Sequence, residues 1–557
     1  MAATRLVRFA AALHAAAAIR MSTDTQDSIS LLQTRSGPSA LEMEAEAEEA
    51  TAAFKDQLWV RHSGSYGAAM RQRERSFGSR VQVQQWEAAA LEPRIESEGG
   101  LSAEAQHDLF PFLRRLKSFE SSAFSSKRQV LVNYGDVQYV THFRIGQQTI
   151  AGIVDTGSFE LVVFSKTCPS CGTAAKYDPK MSTSHLQGKL MTVQSYGSGD
   201  TYSAQAFDML AIGPYPDTNQ SFWEVVGARM PILQTSAFEA IIGLGPPETP
   251  GVDAWQDAQD ALKNVSSAYA EGFKPTWAQL KQAKDGLEAA LEVSRNPTMV
   301  DTFGVGSFSL CLGSAPGADG YLIWNDSSAI DSPDLFRRVP VAGKHTWSVG
   351  LSNVRLSMRG ESSASPRRGE PLACAEGSCV ALLDSGTSLL AVPGSVIARL
   401  SGEIDQLSTD CSNIEDLPDL VFTLGEHRFS LPPDAYVSEV KGAVPKYLQS
   451  FVRITEMKAD KRECRLLLME SYAEGQQGPF WILGMPFFRK YYTTFHIGES
   501  AESRALYVSH ASDDCTPAST AKASLARGQP YRRQIDPSKV HVPNVVQKAY
   551  LQRSIAL

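Results

Sequence analysis

The chain has 557 residues, with 53 Lys and Arg against 61 Asp and Glu, for a formal net charge of −8. At roughly 150 residues per domain, two to four domains fit that length, and 43% apolar content is ordinary for a folded chain. A slightly acidic balance offers no field to hold phosphate backbones, so nucleic acid is not an expected partner. No apolar run approaches the roughly 20 residues that span a bilayer, so no transmembrane segment is expected.

The N-terminus carries Arg5 and Arg8 followed by the weakly apolar FAAALHAAAAI. Residues 1–20 therefore read as the start of a secretory signal, although His14 interrupts the apolar stretch. An Ala-rich transit peptide or a disordered start remain alternatives. Residues 21–124 are rich in charge and poor in strand pattern, with the acidic run Glu42–Glu49 (EMEAEAEE). They read as a leader, part disordered and part helical.

From about Gln129 the pattern changes to short β-rich runs, QVLVNYG, YVTHFRIG and TIAGIVDTG, separated by Gly and polar turn residues, and it continues to about Ser509. One stretch breaks it. Between 253 and 294 apolar residues recur at helical spacing, first Trp255, Ala258, Leu262 and Val265, then Trp277, Leu280, Leu287 and Leu291, with GFKP as connector. This predicts a helical hairpin inserted into a β framework. GESSASPRRGEP, Gly360 to Pro371, reads as a shorter surface insertion. The tail, 513–557, is basic and without clear periodicity, and is expected to be solvated and loosely structured.

The body contains an internal repeat: an apolar strand runs into Asp, a small hydroxyl residue, Gly and a second hydroxyl residue, once as AGIVDTGS at Asp155 and once as ALLDSGTS at Asp384. Each has a later partner, an apolar run ending in Gly: AIIGLG at Gly243 and WILGMP at Gly484. Two related lobes are implied, 125–325 and 326–512. A strand ending in Asp and followed by a tight turn leaves the carboxylate at a fixed position, and the hydroxyl of Ser158 or Thr387 can hold its rotamer. Two such carboxyls brought together by a pseudo-twofold axis cannot both ionise freely. The ionised one can then take a proton from a shared water while the protonated one donates to a peptide carbonyl, with no metal, cofactor or covalent intermediate.

The chain thus resembles the pepsin-like aspartic proteases over roughly Gln129 to Ser509. The likeness rests on the two Asp motifs, on SYGSGD around Tyr196, and on NIEDLPDLVFTLGEHRFSLPPDAY and FWILGMPFFRKYYTTF in the second lobe. It implies a mostly β, bilobal fold and an aspartic endopeptidase, made as a zymogen, acting on polypeptide substrates as a monomer. By the resemblance Asp155 and Asp384 are the catalytic pair, Ser158 and Thr387 their supporting hydroxyls, and Gly157 and Gly386 leave room for the substrate backbone. Tyr196 is the flap tyrosine, with Gly197 and Ser198 at the flap tip. Val162 stands where the family commonly has a tryptophan that holds the flap tyrosine, a departure that bears on flap position and the adjacent pocket.

Cys168-Pro-Ser-Cys171 and the Cys374/Cys379 pair admit a zinc or thioredoxin-like reading on spacing alone. The resemblance implies instead small disulfide loops near each Asp motif and a second-lobe bridge between Cys411 and Cys464. Cys311 and Cys515 have no family counterpart, and their pairing is left open. Sequons at Asn219, Asn264 and Asn325 permit glycosylation in a chain of the secretory pathway, either secreted or held in an acidic vesicle. A leader cation from Arg114, Arg115 and Lys117, or from Lys127 and Arg128, is a candidate to neutralise the Asp pair, with a surface patch as the alternative. His185, His345 and His496 are isolated in sequence and read as structural or surface residues. The alternative function is a protease-like binding or inhibitor protein that recognises peptide without cleaving it.

Overall fold

The computed structural model describes residues 127–247, 277–343, 346–358, 371–375, 379–404, 407–454, 461–471, 474–475, 478–519 and 530–543, together with Trp255, Ala258, Gln259 and Lys263. Strands dominate, as the short β-rich runs predict. The described residues from 127 to 247 and from 293 to 543 belong to one compact unit.

The two Asp motifs are built alike. The strand Gln148–Asp155 runs parallel to Ala240–Gly243, with Asp155 opposite Gly243, and Ala240–Gly243 runs antiparallel to Leu161–Phe164. In the second lobe Cys379–Leu383 runs parallel to Gly478–Leu483, which pairs antiparallel with Ala391–Pro393 through Ala391 and Ile482. Strands at the centre of such an arrangement are covered on both faces, which is why AIIG and LVVF are buried at every position. The sequence repeat is therefore a structural repeat.

The lobes also share a sheet. Its path runs Arg337–Pro340, Ala505–Ala511, Tyr491–His496, Ser307–Cys311, Gly320–Trp324 and Arg128–Tyr134 before entering the first-lobe strands. Strands from both sides of residue 325 thus pair directly, Phe495 opposite Phe308 among them. Those two rings stack 4.8 Å apart, and Trp347 meets Phe495 edge-on at 5.3 Å. Aromatic packing of this kind adds about 0.5–1.5 kcal/mol per pair beyond burial.

Four disulfides are present: Cys168–Cys171, Cys374–Cys379, Cys411–Cys464 and Cys311–Cys515. The first three are the pairings the resemblance implied. The thiols in the zinc reading of the two short pairs are therefore consumed. Cys311–Cys515 settles the open pair and spans a sequence separation of 204, tying the root of the C-terminal tail to the shared sheet.

A second compact unit contains the inserted segment. There the helix Trp277–Arg295 forms over the predicted second arm, with Leu287 and Ala290 buried. Trp255 and Ala258, from the first arm, are helical and buried. The GFKP connector, the leader and the signal-like start lie outside the described residues.

Candidate active site

Each Asp carboxyl is held by its own turn, in the same way twice. Gly157 N–H donates to Asp155 Oδ1 at 2.9 Å and the Ser158 hydroxyl to Oδ2 at 2.7 Å. Gly386 N–H donates to Asp384 Oδ1 at 2.8 Å and the Thr387 hydroxyl to Oδ2 at 2.5 Å. The hydroxyl three residues after each Asp thus does what the turn chemistry predicts.

The turns are then locked to each other by the residues between Asp and Gly. The Thr156 hydroxyl donates to Leu383 O at 2.8 Å and accepts from Ser385 N–H at 3.0 Å. The Ser385 hydroxyl donates to Val154 O at 2.7 Å and accepts from Thr156 N–H at 3.2 Å. All four contacts are buried and cross between the lobes, so each lobe fixes the other's carboxyl. Thr156 and Ser385 were not singled out from sequence, although a hydroxyl at the same place in both repeats was the available signal.

The result is that Asp155 and Asp384 meet. Asp384 is fully buried, and each carboxyl sits against the glycine of the opposite turn. Burial first, and then the neighbouring Asp155 charge, push the Asp384 carboxyl well above the usual carboxylate range, against the pull of the Thr387 and Gly386 donors. The glycines make this approach feasible. A Cβ on Gly157 would sit 2.7 Å from the Asp384 carboxyl, and one on Gly386 would sit 2.5 Å from Asp155 Oδ1. They make room for the opposite carboxyl, a steric role separate from the substrate clearance expected of them.

The strands Leu186–Tyr196 and Gly199–Ile212 form a β-hairpin in which Tyr196 faces Gly199 and the turn is Gly197-Ser198. Gly199 sits at φ +134, and a Cβ there would strike Arg229 O at 2.1 Å, so this end of the turn requires glycine. Tyr196, Gly197 and Ser198 are therefore at the hairpin tip, as expected. Val162 is buried in the strand Leu161–Phe164, which pairs with Tyr215–Arg229 and Ala240–Gly243 and not with the hairpin strands. The Tyr196 ring is set beside a different partner, the imidazole of His541, 5.8 Å away.

The tail is the main correction to the sequence reading. Residues 530–543 are not loosely held: Arg533, Val540, His541 and Val542 are all buried. His541 N–H donates to the Ser388 hydroxyl at 3.0 Å, and His541 Nδ1 lies 2.9 Å from Gly386 O. Since a carbonyl only accepts, Nδ1 carries the proton. Val542 N–H donates to the Ser198 hydroxyl at 3.0 Å, and Gly197 N–H donates to Val542 O at 3.1 Å. The apolar Val-His-Val inside a basic tail was the overlooked signal.

The candidate leader cations are not at the pair where they are described. Arg128 donates to Cys515 O and Asp514 O, at 3.1 and 2.6 Å, and lies over the Tyr321 ring, because its strand places it at the root of the tail. Lys127 is exposed. Arg114, Arg115 and Lys117 lie outside the described residues. Of the sequons, Asn219 and Asn325 are exposed, Asn325 with its amide already bonded to the Tyr215 hydroxyl and to Gly306 N–H. Asn264 lies outside the described residues. His185 pairs with Glu224 at 3.2 Å and His496 packs on Tyr507, both structural contacts, while His345 lies outside the described residues.

Comparison with known proteins points the same way as the geometry. The family described as eukaryotic aspartyl protease matches residues 138–269 and 307–505. Pepsin A of Rhinolophus ferrumequinum is 26% identical over 405 residues, covering 71% of this chain and 86% of that pepsin. Pepsin A of Callithrix jacchus is 27% identical over 379 residues, 66% of this chain and 80% of the relative. Pepsin A of Bos taurus is 26% identical over 396 residues, 69% and 88% of the two chains.

Proposed function

Because the chain belongs to the eukaryotic aspartyl protease family, we propose that it is an active endopeptidase whose catalytic pair is Asp155 and Asp384. The observation that carries this reading is the close approach of the two carboxyls, each against the glycine of the opposite turn and each held by the same pair of donors from its own turn.

Asp384, pushed up by burial and by its neighbour, holds the shared proton, which leaves Asp155 to accept one from water. Water oxygen adds to the scissile carbonyl carbon as its proton passes to Asp155 and the Asp384 proton passes to the carbonyl oxygen. In the resulting gem-diol one hydroxyl proton returns to Asp384, the C–N bond breaks, and Asp155 gives its proton to the leaving nitrogen. The products are an acid and an amine, and the pair regains its single proton. Tyr196 and the hairpin tip supply the cover that excludes water from the reacting bond.

The same reading makes the chain a zymogen whose leader is removed, and places it in the secretory pathway. Four disulfides support an oxidising compartment.

The test is hydrolysis of a denatured protein substrate in mildly acidic buffer, with and without a pepstatin-type inhibitor, by the natural chain and by Asp155→Asn and Asp384→Asn. Inhibitable cleavage by the natural chain, lost in both variants, is expected. Cleavage retained in either variant removes the pair assignment, and tight inhibitor binding without any cleavage points to the peptide-binding alternative.

A further inference from the structure

The segment 530–543 is bound to the body at points from Arg532 to Val542, and its far end lies between the hairpin tip and the turn that holds Asp384. Arg533 anchors it: its guanidinium is buried, pairs with Asp136 at 3.1 Å, lies 3.7 Å from Asp434, and donates to Ser314 O. Arg489, also buried, reaches the backbone carbonyl of Asp136. Next, Gln534 and Ile535 add a short parallel strand to Val437–Lys441, and Glu439 N–H donates to Arg533 O at 2.9 Å. Asp536 caps a single turn, Pro537–Lys539, through Ser538. Gln138 then donates to Lys539 O at 3.0 Å, and the Tyr447 hydroxyl to Ser538 O and Val540 O, both at 3.4 Å.

The last four hydrogen bonds are made with the machinery itself. Val542 is bonded through both its N–H and its carbonyl to the hairpin tip, at Ser198 and Gly197. His541 is bonded to Gly386 and Ser388, in the turn that holds Asp384. The fit leaves no slack: a Cβ on Gly197 would meet Val542 Cγ1 at 2.1 Å. An extended peptide chain bonded to the flap tip on one side and to the Asp turn on the other occupies the space a substrate needs. An imidazole, packed between Tyr196 and Phe238, stands beside the pair.

We propose that residues 530–543 are an inhibitory pseudosubstrate: the chain's own C-terminal segment fills the cleft, and peptide substrates gain access only when it leaves. This rests on the endopeptidase reading for its consequence, although not for the contact. Val540 and Val542 are the plug, Arg533 is the anchor, and the Cys311–Cys515 disulfide keeps the tether attached. Tethering raises the effective concentration of the tail to about the millimolar range, so a tail that binds weakly as a free peptide still fills the cleft in the intact chain.

The experiment compares the natural full chain with V540D/V542D and with a chain carrying an inserted specific-protease site within residues 520–529, all with the same N-terminus. Two quantities are read: amide exchange protection of residues 540–542, and initial rate on a fluorogenic peptide. The account predicts protection in the natural chain, its loss in V540D/V542D, and a rate rise of at least tenfold. It predicts the same rise when the natural-sequence tail is cut from its tether and diluted, and its reversal by added synthetic peptide 530–543. The cut chain keeps the natural sequence of residues 530–543, so its result stands even if the double variant folds poorly. Unprotected amides in the natural chain, or equal rates in cut and uncut chains while both hydrolyse the peptide, overturn the proposal. Protection that is lost on release, with no hydrolysis in any form, upholds the tail contact and removes the endopeptidase reading instead.

Discussion

Gly386 and Asp155 belong to different lobes, yet a single carbon on Gly386 would lie 2.5 Å from Asp155 Oδ1. The two turns are packed so closely that only hydrogen fits where the next residue type would begin. Gly386→Ala, and equally Gly157→Ala, must push the opposing carboxyl aside. Displacement of a reacting group by about 1 Å costs on the order of 100-fold in rate. We expect kcat to fall by about that factor in each variant with KM little changed, measured on a fluorogenic peptide. Unaltered kcat in both would mean the carboxyls need not be held as found.

The crossed hydroxyls of Thr156 and Ser385 predict a stability signature. Thr156→Val keeps the shape but leaves Leu383 O and Ser385 N–H without this partner in a buried place, at a cost of about 1–3 kcal/mol. Ser385→Ala strands Val154 O and Thr156 N–H in the same way. Because the two form one network, the double variant should lose less than the sum of the singles. Denaturant midpoints for the three variants check this, and simple additivity would show that the hydroxyls act independently.

Asp384 predicts a pH dependence of stability. Its folded carboxyl is raised above the ordinary 3.8. Below that pH both folded and unfolded forms hold the proton, and no difference arises. As pH rises above it, the unfolded chain releases the proton while the folded one keeps it, so this group's contribution to stability falls, by at most about 1.4 kcal/mol per pH unit. Asp384→Asn should therefore gain on the natural chain progressively as pH rises from about 4. A difference independent of pH would contradict the raised carboxyl.

His541 predicts the opposite trend for the tail. Burial holds its imidazole below the usual 6.5, outweighing the nearby Asp155 charge and the Gly386 carbonyl. The groups facing it are Asp155, the Gly386 carbonyl, and the rings of Tyr196 and Phe238. Above 6.5 a released tail is neutral too, and docking is at full strength. As pH falls below it, the released tail takes up a proton that the docked one resists, and docking weakens by up to about tenfold per pH unit. Exchange protection of residues 540–542 should fall accordingly, and His541→Phe should flatten that fall. The same loss of protection in both chains would assign it to other groups.

Much of this site was legible in the sequence because its parts repeat. Asp155 and Asp384, Gly243 and Gly484, and Ser158 and Thr387 each occur in the same local pattern twice, and local turn chemistry is enough to read them. Thr156 and Ser385 were harder, since a hydroxyl after Asp is unremarkable until two turns from distant parts of the chain are set face to face. The tail was not legible. Arg533 looks like one more cation in a basic segment until Asp136 and Asp434 are placed around it, and Val540 to Val542 is too short to show a period. Arg128 misled for the converse reason, because charge alone does not say which surface a strand will turn it toward.

The central claim is that Asp155 and Asp384 share one proton and act as a unit on water. It is tested most directly by the pH dependence of kcat/KM on a tail-released chain. The account predicts a bell, with activity lost on the acid side when the second proton binds and on the basic side when the shared proton leaves. It also predicts that Asp155→Asn and Asp384→Asn each abolish the whole curve. A profile with one limb, or a variant that keeps its activity over any part of the range, would contradict it.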